Sequence, residues 1–330
     1  MSDAREDAHS VAGRAVGTSS FPAATSPAPA ELLLARLEQR TPVILAGPPG
    51  TGKTRLVNQM VSELRGKGQM GRDEVIQFHS DYSYQQFIYG FRPAEAGGFT
   101  EMPGILPRLL DAIEARRRDA PDDVTVDVLV IDEINRADVG SVFGEVMTLL
   151  DDRSSKTVCL ANGKELALPD SLWIIGTMNT ADRNIALMDF ALRRRFAFVF
   201  MQPDYPGMVE WITARGLGFD DFDVDTYAAA VRVLNSRIGH HPLLGKGMVL
   251  GQSFFVPASN SKRPIATDEV LNLFNGQVFP QIEAYFGSGS WGQVEAMLGP
   301  SIAHALRVGE MVDWPSLVGL VRSLAASSET

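Results

Sequence analysis

An eight-residue segment, GPPGTGKT, constrains this chain more than any other part of its sequence. It runs from Gly47 to Thr54 and matches the phosphate-binding pattern G-x-x-x-x-G-K-[ST] in full. An apolar strand, Val43–Leu45, precedes it and a helical pattern follows from Lys53, which is the context that such a loop needs. The segment therefore predicts an α/β domain that binds a nucleotide, with a structural glycine turn as the alternative.

Each residue type in this loop has a physical role toward a phosphate group. Glycines let backbone N–H groups converge on phosphate oxygens, and the start of the helix adds positive potential. Lys53 is expected to reach the β- and γ-phosphates, and Thr54 to ligate Mg²⁺. The predicted nucleotide-binding residues are Gly47, Pro48, Pro49, Gly50, Thr51, Gly52, Lys53 and Thr54.

A second motif, VLVIDEINRA, places two adjacent carboxylates at the end of an apolar run. Val128–Ile131 is predicted to be a buried strand, and open α/β sheets bind ligands at the carboxyl ends of their strands. Asp132 is expected to hold Mg²⁺ through water, and Glu133 to orient and polarise the water that attacks the γ-phosphate. The alternative is an acidic helix start that the helix dipole stabilises.

A third motif, MNTADRN, follows the apolar strand Trp173–Gly176. If the strands before Gly47, Asp132 and Met178 lie side by side, Asn179 falls beside the γ-phosphate. Its amide could then bond to the attacking water or to a phosphate oxygen, and Asp182 follows on the same loop. The alternative is a polar loop in which Asp182 or Asn184 caps the next helix.

The segment ALRRRF places three consecutive arginines at a predicted helix end. Three adjacent cations on one subunit need an anionic counterpart, and a neighbouring subunit's nucleotide would supply it, as it does for an arginine finger. The alternative is a solvated basic patch.

Hydrophobic patterns divide the chain into three predicted regions: a disordered tail over 1–30, an α/β domain over 31–203 and a helical lid over 204–330. Around Asn162-Gly163, two alternating runs predict a β-hairpin that projects from the domain and carries Lys156 and Lys164. The predicted strands of the α/β domain are Val43–Leu45, Val75–Phe78, Val126–Ile131, Trp173–Gly176 and Phe196–Phe200.

Composition narrows the functional classes. The 330 residues include a single cysteine, Cys159, and no apolar run long enough to span a membrane, which favours a cytoplasmic location. The net charge of −10 argues against a surface that binds nucleic acid as a whole, so any DNA contact would need a focused site or a partner. We expect no membrane association.

The order of these motifs is similar to that of AAA+ ATPases. Within that group, the stretch MNTADRNIALMDFALRRRFAF resembles the signature of the McrB family, the GTP-using motor subunits of modification-dependent restriction. The segment FHSDYSYQQFIYGFRP, from Phe78 to Pro93, resembles the family's segment after the second strand. The segment GQSFF, from Gly251 to Phe255, resembles its Gly-His-Ser-Tyr-Phe element, with Gln252 in place of histidine.

The resemblance implies an AAA+ phosphate-loop NTPase core, a mainly parallel sheet with helices on both faces and a hairpin insert, followed by a small helical lid. It implies catalytic roles for Glu133, Asn179 and Asp182, and action in trans for Arg194 and Arg195. It also implies GTP or ATP with Mg²⁺, a hexameric ring of identical subunits, and a McrC-like partner that stimulates hydrolysis and carries the nuclease.

One departure from the family concerns the amino terminus. Typical members carry a domain there that reads methylated DNA, whereas about 30 residues precede the motor in this sequence, so DNA recognition is expected to come through the partner. DEINRA is also similar to a motif of MoxR-type AAA+ chaperones, which act on proteins. A slow nucleotide-dependent switch or scaffold is a third hypothesis.

Overall fold

The computed structural model describes residues 28–93, 97–151, 157–182, 190–257, 263–287 and 289–328. Nearly all of the predicted tail, as well as Lys156, lies outside the described residues. Among the described residues, no helix combines the length and the apolar character that are needed to cross a lipid bilayer.

Nine strands form within the described residues. They are β1 (Val43–Gly47), β2 (Met70–Gln77), β3 (Tyr89–Pro93), β4 (Phe99–Pro103), β5 (Val126–Asp132), β6 (Val158–Cys159), β7 (Glu165–Leu166), β8 (Leu172–Asn179) and β9 (Ala197–Phe200). Five of them build one parallel sheet in the order β2-β5-β8-β1-β9, and the other four form two small hairpins.

The described α-helices number thirteen. They are α1 (Pro29–Glu38), α2 (Lys53–Gly66), α3 (Tyr84–Phe87), α4 (Ile105–Asp119), α5 (Val139–Phe143), α6 (Phe190–Arg195), α7 (Tyr205–Arg215), α8 (Val224–His240), α9 (Thr267–Leu273), α10 (Phe279–Phe286), α11 (Trp291–Leu298), α12 (Pro300–Val308) and α13 (Trp314–Ala326). A π-helical segment, Phe274–Val278, joins α9 to α10. Short 3₁₀ turns cover Ile134–Arg136, Gly144–Leu150, Lys246–Met248 and Gln252–Phe254.

The parallel sheet is buried on both faces because alternate side chains of each strand point to opposite sides. In β1, Val43 and Leu45 pack with Leu33 of α1 on one face. Ile44 of the same strand packs with Leu106 of α4 on the other face. The predicted fold class, a mainly parallel sheet with helices on both faces and a helical lid, is therefore confirmed.

The helical region after the sheet has a hydrophobic core of its own. Helix α8 contributes Tyr227 and Leu234, and α10 contributes Phe279 and Ile282. This core is separate from the two clusters that cover the faces of the sheet. The division into 31–203 and 204–330 stays a prediction.

The predicted strands agree with the sheet, but their bounds differ: β2 begins at Met70, five residues before the predicted start. The hairpin at Asn162-Gly163 forms, with β6 and β7 antiparallel and Gly163 at a φ of 81°. A second hairpin, β3–β4, was not predicted. The two hairpins touch, since Asn162 Nδ2 donates to Glu101 Oε1 of β4, so the β6–β7 tip does not project alone.

A buried ionic cluster lies at the amino-terminal edge of the sheet. Asp127 of β5 is fully buried, and its carboxylate accepts from Arg116 Nη2 at 2.8 Å and from Ser171 Oγ at 2.7 Å. The backbone N–H of Arg72 donates to the same carboxylate at 2.7 Å. A buried carboxylate with this many partners ties α4, β2 and the start of β8 together.

We expect Asp127→Ala to lower the free energy of unfolding by about 3–5 kcal/mol, because the largely buried Arg116 guanidinium would lose its fully buried counterion and keep only Asp123. Urea denaturation measures the change. The matched control is Asp170→Ala, which breaks the half-exposed Arg40–Asp170 pair and should cost less than about 1 kcal/mol. Equal small losses in both variants would contradict a structural role for the cluster.

Candidate nucleotide-binding site

The phosphate loop connects a fully buried strand, β1, to the first turn of α2. Gly50 and Gly52 have φ values of 77° and 87°, a left-handed conformation that glycine adopts without strain. Lys53 Nζ donates to the carbonyl oxygens of Gly47 and Pro48, each at 2.9 Å. These contacts hold the predicted phosphate-binding lysine over the loop.

The acidic edge of the site lies at the end of β5. Glu133 has a φ of 52°, which is unusual for a residue with a side chain and is a strain that functional sites often hold. Thr177 of the neighbouring strand β8 supports both carboxylate residues: its hydroxyl donates to Asp132 Oδ1 and accepts from the Glu133 N–H at 3.2 Å. The neighbouring strand β8 thereby holds Asp132 and Glu133 in position through the Thr177 hydroxyl.

Asn179 is brought beside the phosphate loop by the strand pairing. Strands β1 and β8 are adjacent, and Gly47 is the register partner of Asn179. The Asn179 Oδ1 atom accepts from the Ala181 N–H at 3.2 Å, so the side chain also forms a local turn. The placement of Asn179 depended on the three strands that end at Gly47, Asp132 and Asn179 lying side by side, and the sheet order meets this condition.

Arg136 links two of the predicted catalytic carboxylates and was missed in the sequence. Its Nε atom lies 3.5 Å from Glu133 Oε2 and 3.8 Å from Asp182 Oδ2. Both of these oxygens are buried and have no hydrogen-bond partner among the described residues. Arg136 is three residues after Glu133 in the DEINRA motif, so one 3₁₀ turn is enough to bring its guanidinium back to the carboxylate.

Burial and charge act in opposite directions on the titrating groups. Burial lowers the pKa of Lys53, and the carboxylates of Glu133, Asp132 and Asp182 partly offset this effect. Burial raises the pKa of Glu133, and Arg136 provides the largest opposing influence. The pKa of Glu133 is raised further by Asp182 and Asp132. The site therefore concentrates acidic groups around one lysine.

A cavity of about 1040 Å³ opens between the sheet and the lid. Its core wall contains the predicted residues Pro49, Gly50, Thr51, Gly52, Lys53, Thr54, Asp132, Glu133 and Asn179. Its lid wall includes Asp204 and Trp211, together with Gln252 and Ser253. The volume suits a nucleoside triphosphate. The Thr54 hydroxyl and the Asp132 carboxylate on this wall are the hard oxygen donors that Mg²⁺ prefers.

Asp182 lies beside a second cavity, of about 520 Å³, between its loop and the end of α10. Pro49 and Asn179 contribute to both cavities, so the two adjoin. Asp182 thus reaches the first cavity through Arg136 and Glu133.

The structure separates the two arginines that were predicted to act in trans. Arg195 is largely buried, and its Nε and Nη2 atoms lie 2.9 and 2.8 Å from Asp151 Oδ2. Arg194, one residue earlier in α6, is exposed. Neither of them is among the described residues that line the two cavities.

Comparison with known proteins assigns this arrangement to a class. Residues 42–196 match the AAA domain of the dynein-related subfamily. The parallel sheet, the phosphate loop and the adjacent Asp-Glu pair define an AAA+ phosphate-loop nucleoside triphosphatase.

Two relatives narrow the class. Over 266 residues the chain is 33% identical to the type IV methyl-directed restriction enzyme EcoKMcrB subunit of Escherichia coli K12, covering 78% of this chain and 56% of that one. Over 194 residues it is 26% identical to component YdiS of the type II restriction enzyme BsuMI of Bacillus subtilis 168, covering 48% and 56%. The chain spans a little over half the length of both relatives, and it is a McrB-like AAA+ protein.

We expect two substitutions to separate nucleotide binding from hydrolysis. Lys53→Ala should abolish tight binding, raising Kd by on the order of a hundredfold, because a charge-assisted contact to the phosphates is lost. Glu133→Gln should keep binding and lose turnover, because the carboxylate acts on water rather than on the bound nucleotide. Fluorescent-nucleotide titration and phosphate release measure the two effects, with Lys67→Ala, at the exposed residue that follows α2, as the control. Hydrolysis at the parent rate by Glu133→Gln would refute its assignment.

Proposed function

We propose that this chain hydrolyses GTP in preference to ATP at the subunit interfaces of a homo-oligomeric ring, and that it is the motor of a McrBC-like restriction complex. The observation that carries the proposal is the placement of the phosphate loop, Asp132, Glu133 and Asn179 at the carboxyl ends of three adjacent strands. Similarity to the EcoKMcrB subunit of a type IV methyl-directed restriction enzyme supports the restriction role. The choice of GTP rests on the resemblance of the sequence motifs to the McrB family.

The residues on the cavity wall divide the work of hydrolysis. The backbone N–H groups of the phosphate loop and the Lys53 ammonium bind the phosphates. Mg²⁺, held by Thr54 and through water by Asp132, would neutralise charge on the phosphate oxygens. The Glu133 carboxylate accepts a hydrogen bond from the attacking water and thereby polarises that water. Asn179 faces the same cavity and orients either that water or a phosphate oxygen.

In the same proposal, Arg136 has the role of positioning the carboxylates of Glu133 and Asp182. Its guanidinium lies 3.5 Å from a carboxylate oxygen of Glu133 and 3.8 Å from one of Asp182. A guanidinium between two carboxylates offsets their repulsion and holds both in place. Asp182 therefore acts on the site through the orientation of Arg136 and Glu133.

Assembly into a hexameric ring, as the resemblance to the McrB family implies, would supply a further positive charge. The exposed Arg194 has no acidic partner within the described residues of its own subunit that would compete for it. Its guanidinium is therefore available to a neighbour's γ-phosphate, where an arginine finger stabilises the transition state. Arg195 is expected to hold α6 in position through its ion pair with Asp151.

DNA recognition is assigned to a partner. The net charge of −10 disfavours strong DNA binding by this chain, and Lys164 on the β6–β7 hairpin is one exposed cation beside Glu165. A McrC-like subunit that carries the nuclease would couple the motor to DNA. A cytoplasmic location is part of the same proposal.

Phosphate-release kinetics test this function directly. We expect multiple turnovers, a higher kcat/KM for GTP than for ATP, and faster turnover when a nuclease-bearing partner and DNA are added. The control is Glu133→Gln under the same conditions. A clear preference for ATP with stimulation by a protein substrate would favour a MoxR-like chaperone instead. Single-turnover release alone would favour a nucleotide-dependent switch or scaffold.

Mixing experiments test action in trans. Arg194→Ala should lower hydrolysis by about 10³-fold or more with nucleotide binding kept, because an arginine finger acts on the transition state. When the Arg194→Ala and Glu133→Gln variants are mixed, hydrolysis should return at the interfaces that combine an intact Arg194 with an intact Glu133. Arg118→Ala, an exposed arginine on α4, is the control. Rings shown to mix but regaining no activity would exclude a trans role for Arg194.

A further inference from the structure

A lid segment lies directly against the phosphate loop. The three residues Gly251–Ser253, which we term the strap, donate to three consecutive carbonyl groups of the loop. The Gly251 N–H donates to Pro49 O at 2.8 Å, and the Ser253 N–H donates to Gly50 O at 3.1 Å. Between them, Gln252 Nε2 donates to Thr51 O at 3.1 Å.

Contact between the strap and the loop is close enough to require glycine on both sides. A Cβ atom on Gly251 would lie 2.1 Å from the carbonyl carbon of Gly50. A Cβ atom on Gly50 would lie 2.5 Å from Ser253 Oγ, and its φ of 77° disfavours any side chain. The two backbones therefore meet at a distance that no larger residue permits.

The strap is a rigid part of the lid. The residue before it, Leu250, is fully buried, and its N–H and carbonyl oxygen both bond to the side chain of Asn235 on α8, each at 2.8 Å. The residue two positions after it, Phe255, is buried as well, and its carbonyl oxygen accepts from Tyr227 at 3.0 Å. Movement of the lid must therefore move the strap with it.

Gln252 also reaches the connection between the two regions. Its Oε1 atom accepts from the Asp204 N–H at 3.1 Å, at the residue that caps the start of α7. One side chain thus joins the phosphate loop, the connection from β9 to α7, and the lid. Nearby, Thr180 of the Asn179 loop donates from its hydroxyl to Gly247 O at 3.0 Å.

The geometry of the peptide bond gives these contacts a consequence for nucleotide binding. In a trans peptide the C=O and the next residue's N–H point in opposite directions. The strap holds the carbonyl groups of Pro49, Gly50 and Thr51 on the lid side of the loop. The N–H group of the residue after each of these carbonyls therefore points to the opposite side of the loop. Successive N–H groups that point one way form an anion-binding concavity.

The side chains that the lid places on the cavity wall carry little positive charge for binding phosphates. Its described residues on the cavity wall include acidic, apolar and amide side chains but no lysine or arginine. Among the described residues, the contacts of the strap with the loop backbone are therefore the clearest route by which the lid can influence phosphate binding.

We propose that Gln252 is a positioning residue for the phosphate loop, and that the lid sets nucleotide affinity through the strap. This inference rests on the proposed nucleotide binding. It assigns Gln252 to the binding of the triphosphate and leaves activation of the attacking water to Glu133.

Gln252→Met tests the proposal, because methionine has a similar length and lacks both the donor and the acceptor. The Kd for GTP and for ATP should rise by about 3- to 10-fold, the size of one lost hydrogen bond. Single-turnover hydrolysis at saturating nucleotide should stay within about twofold of the parent rate. The matched control is Gln293→Met, which removes a glutamine that contacts His241 elsewhere in the lid.

Amide hydrogen exchange without nucleotide provides a second, independent measurement. Gln252→Met and Gly251→Ala should both speed exchange in the segment 247–255, because the Gly251 and Ser253 N–H groups lose their stable acceptors. Gly319→Ala is the control for the second variant, since a Cβ atom at that position of α13 would meet open space. Amide exchange in the segment 247–255 of Gly319→Ala should match that of the parent.

The outcomes distinguish this inference from the proposed function. A parent chain that binds neither nucleotide contradicts the proposed function. Normal binding by the parent, with Gln252→Met equal to Gln293→Met in both Kd and exchange, overturns the inference alone. A fall in the single-turnover rate with unchanged Kd would also overturn it, because Gln252 would then act on the chemistry instead of the loop.

Discussion

Backbone hydrogen bonding between β5, β8 and β1 is the constraint on which the rest of the site depends. The register pairs Gly47 with Asn179 and Ile131 with Gly176, so the three strands reach the same edge of the sheet together. A slip of one residue would turn every side chain of a strand to the opposite face. The burial of both faces forbids such a slip, and the packing of apolar side chains thereby sets the position of the polar ones.

The polar groups that this register brings together form a balanced set. Asp132, Glu133 and Asp182 supply three carboxylates, and Lys53 and Arg136 supply two cations among them. Thr177 bonds to the first two carboxylate residues from β8. The carboxylates outnumber the cations by one, and a divalent cation bound near Asp132 would bring positive charge to this acidic edge of the site.

Much of this could be predicted from the sequence because the signals are local. The phosphate loop and the Asp-Glu pair each follow an apolar strand, and strand ends in a parallel sheet share an edge. Gln252 could not be placed in this way, because its partner Thr51 is 201 positions away and nothing in either segment marks the contact. The β3–β4 hairpin was missed because glycine and proline interrupt its short runs. The run of three arginines gave no indication that Arg195 would turn inward to Asp151 while Arg194 stayed exposed.

The two outer strands of the sheet have a consequence for how copies of this chain can meet. Strand β2 carries Arg72, Asp73 and Glu74 in succession, and β9 is only four residues long. Charged and short edge strands resist the addition of a foreign strand. In the proposed ring, copies would therefore associate through side-chain surfaces rather than by a backbone ladder shared between these sheets. Contacts of that kind can break and re-form one at a time, which would let neighbouring subunits of the proposed ring pivot against each other while the fold of each stays intact.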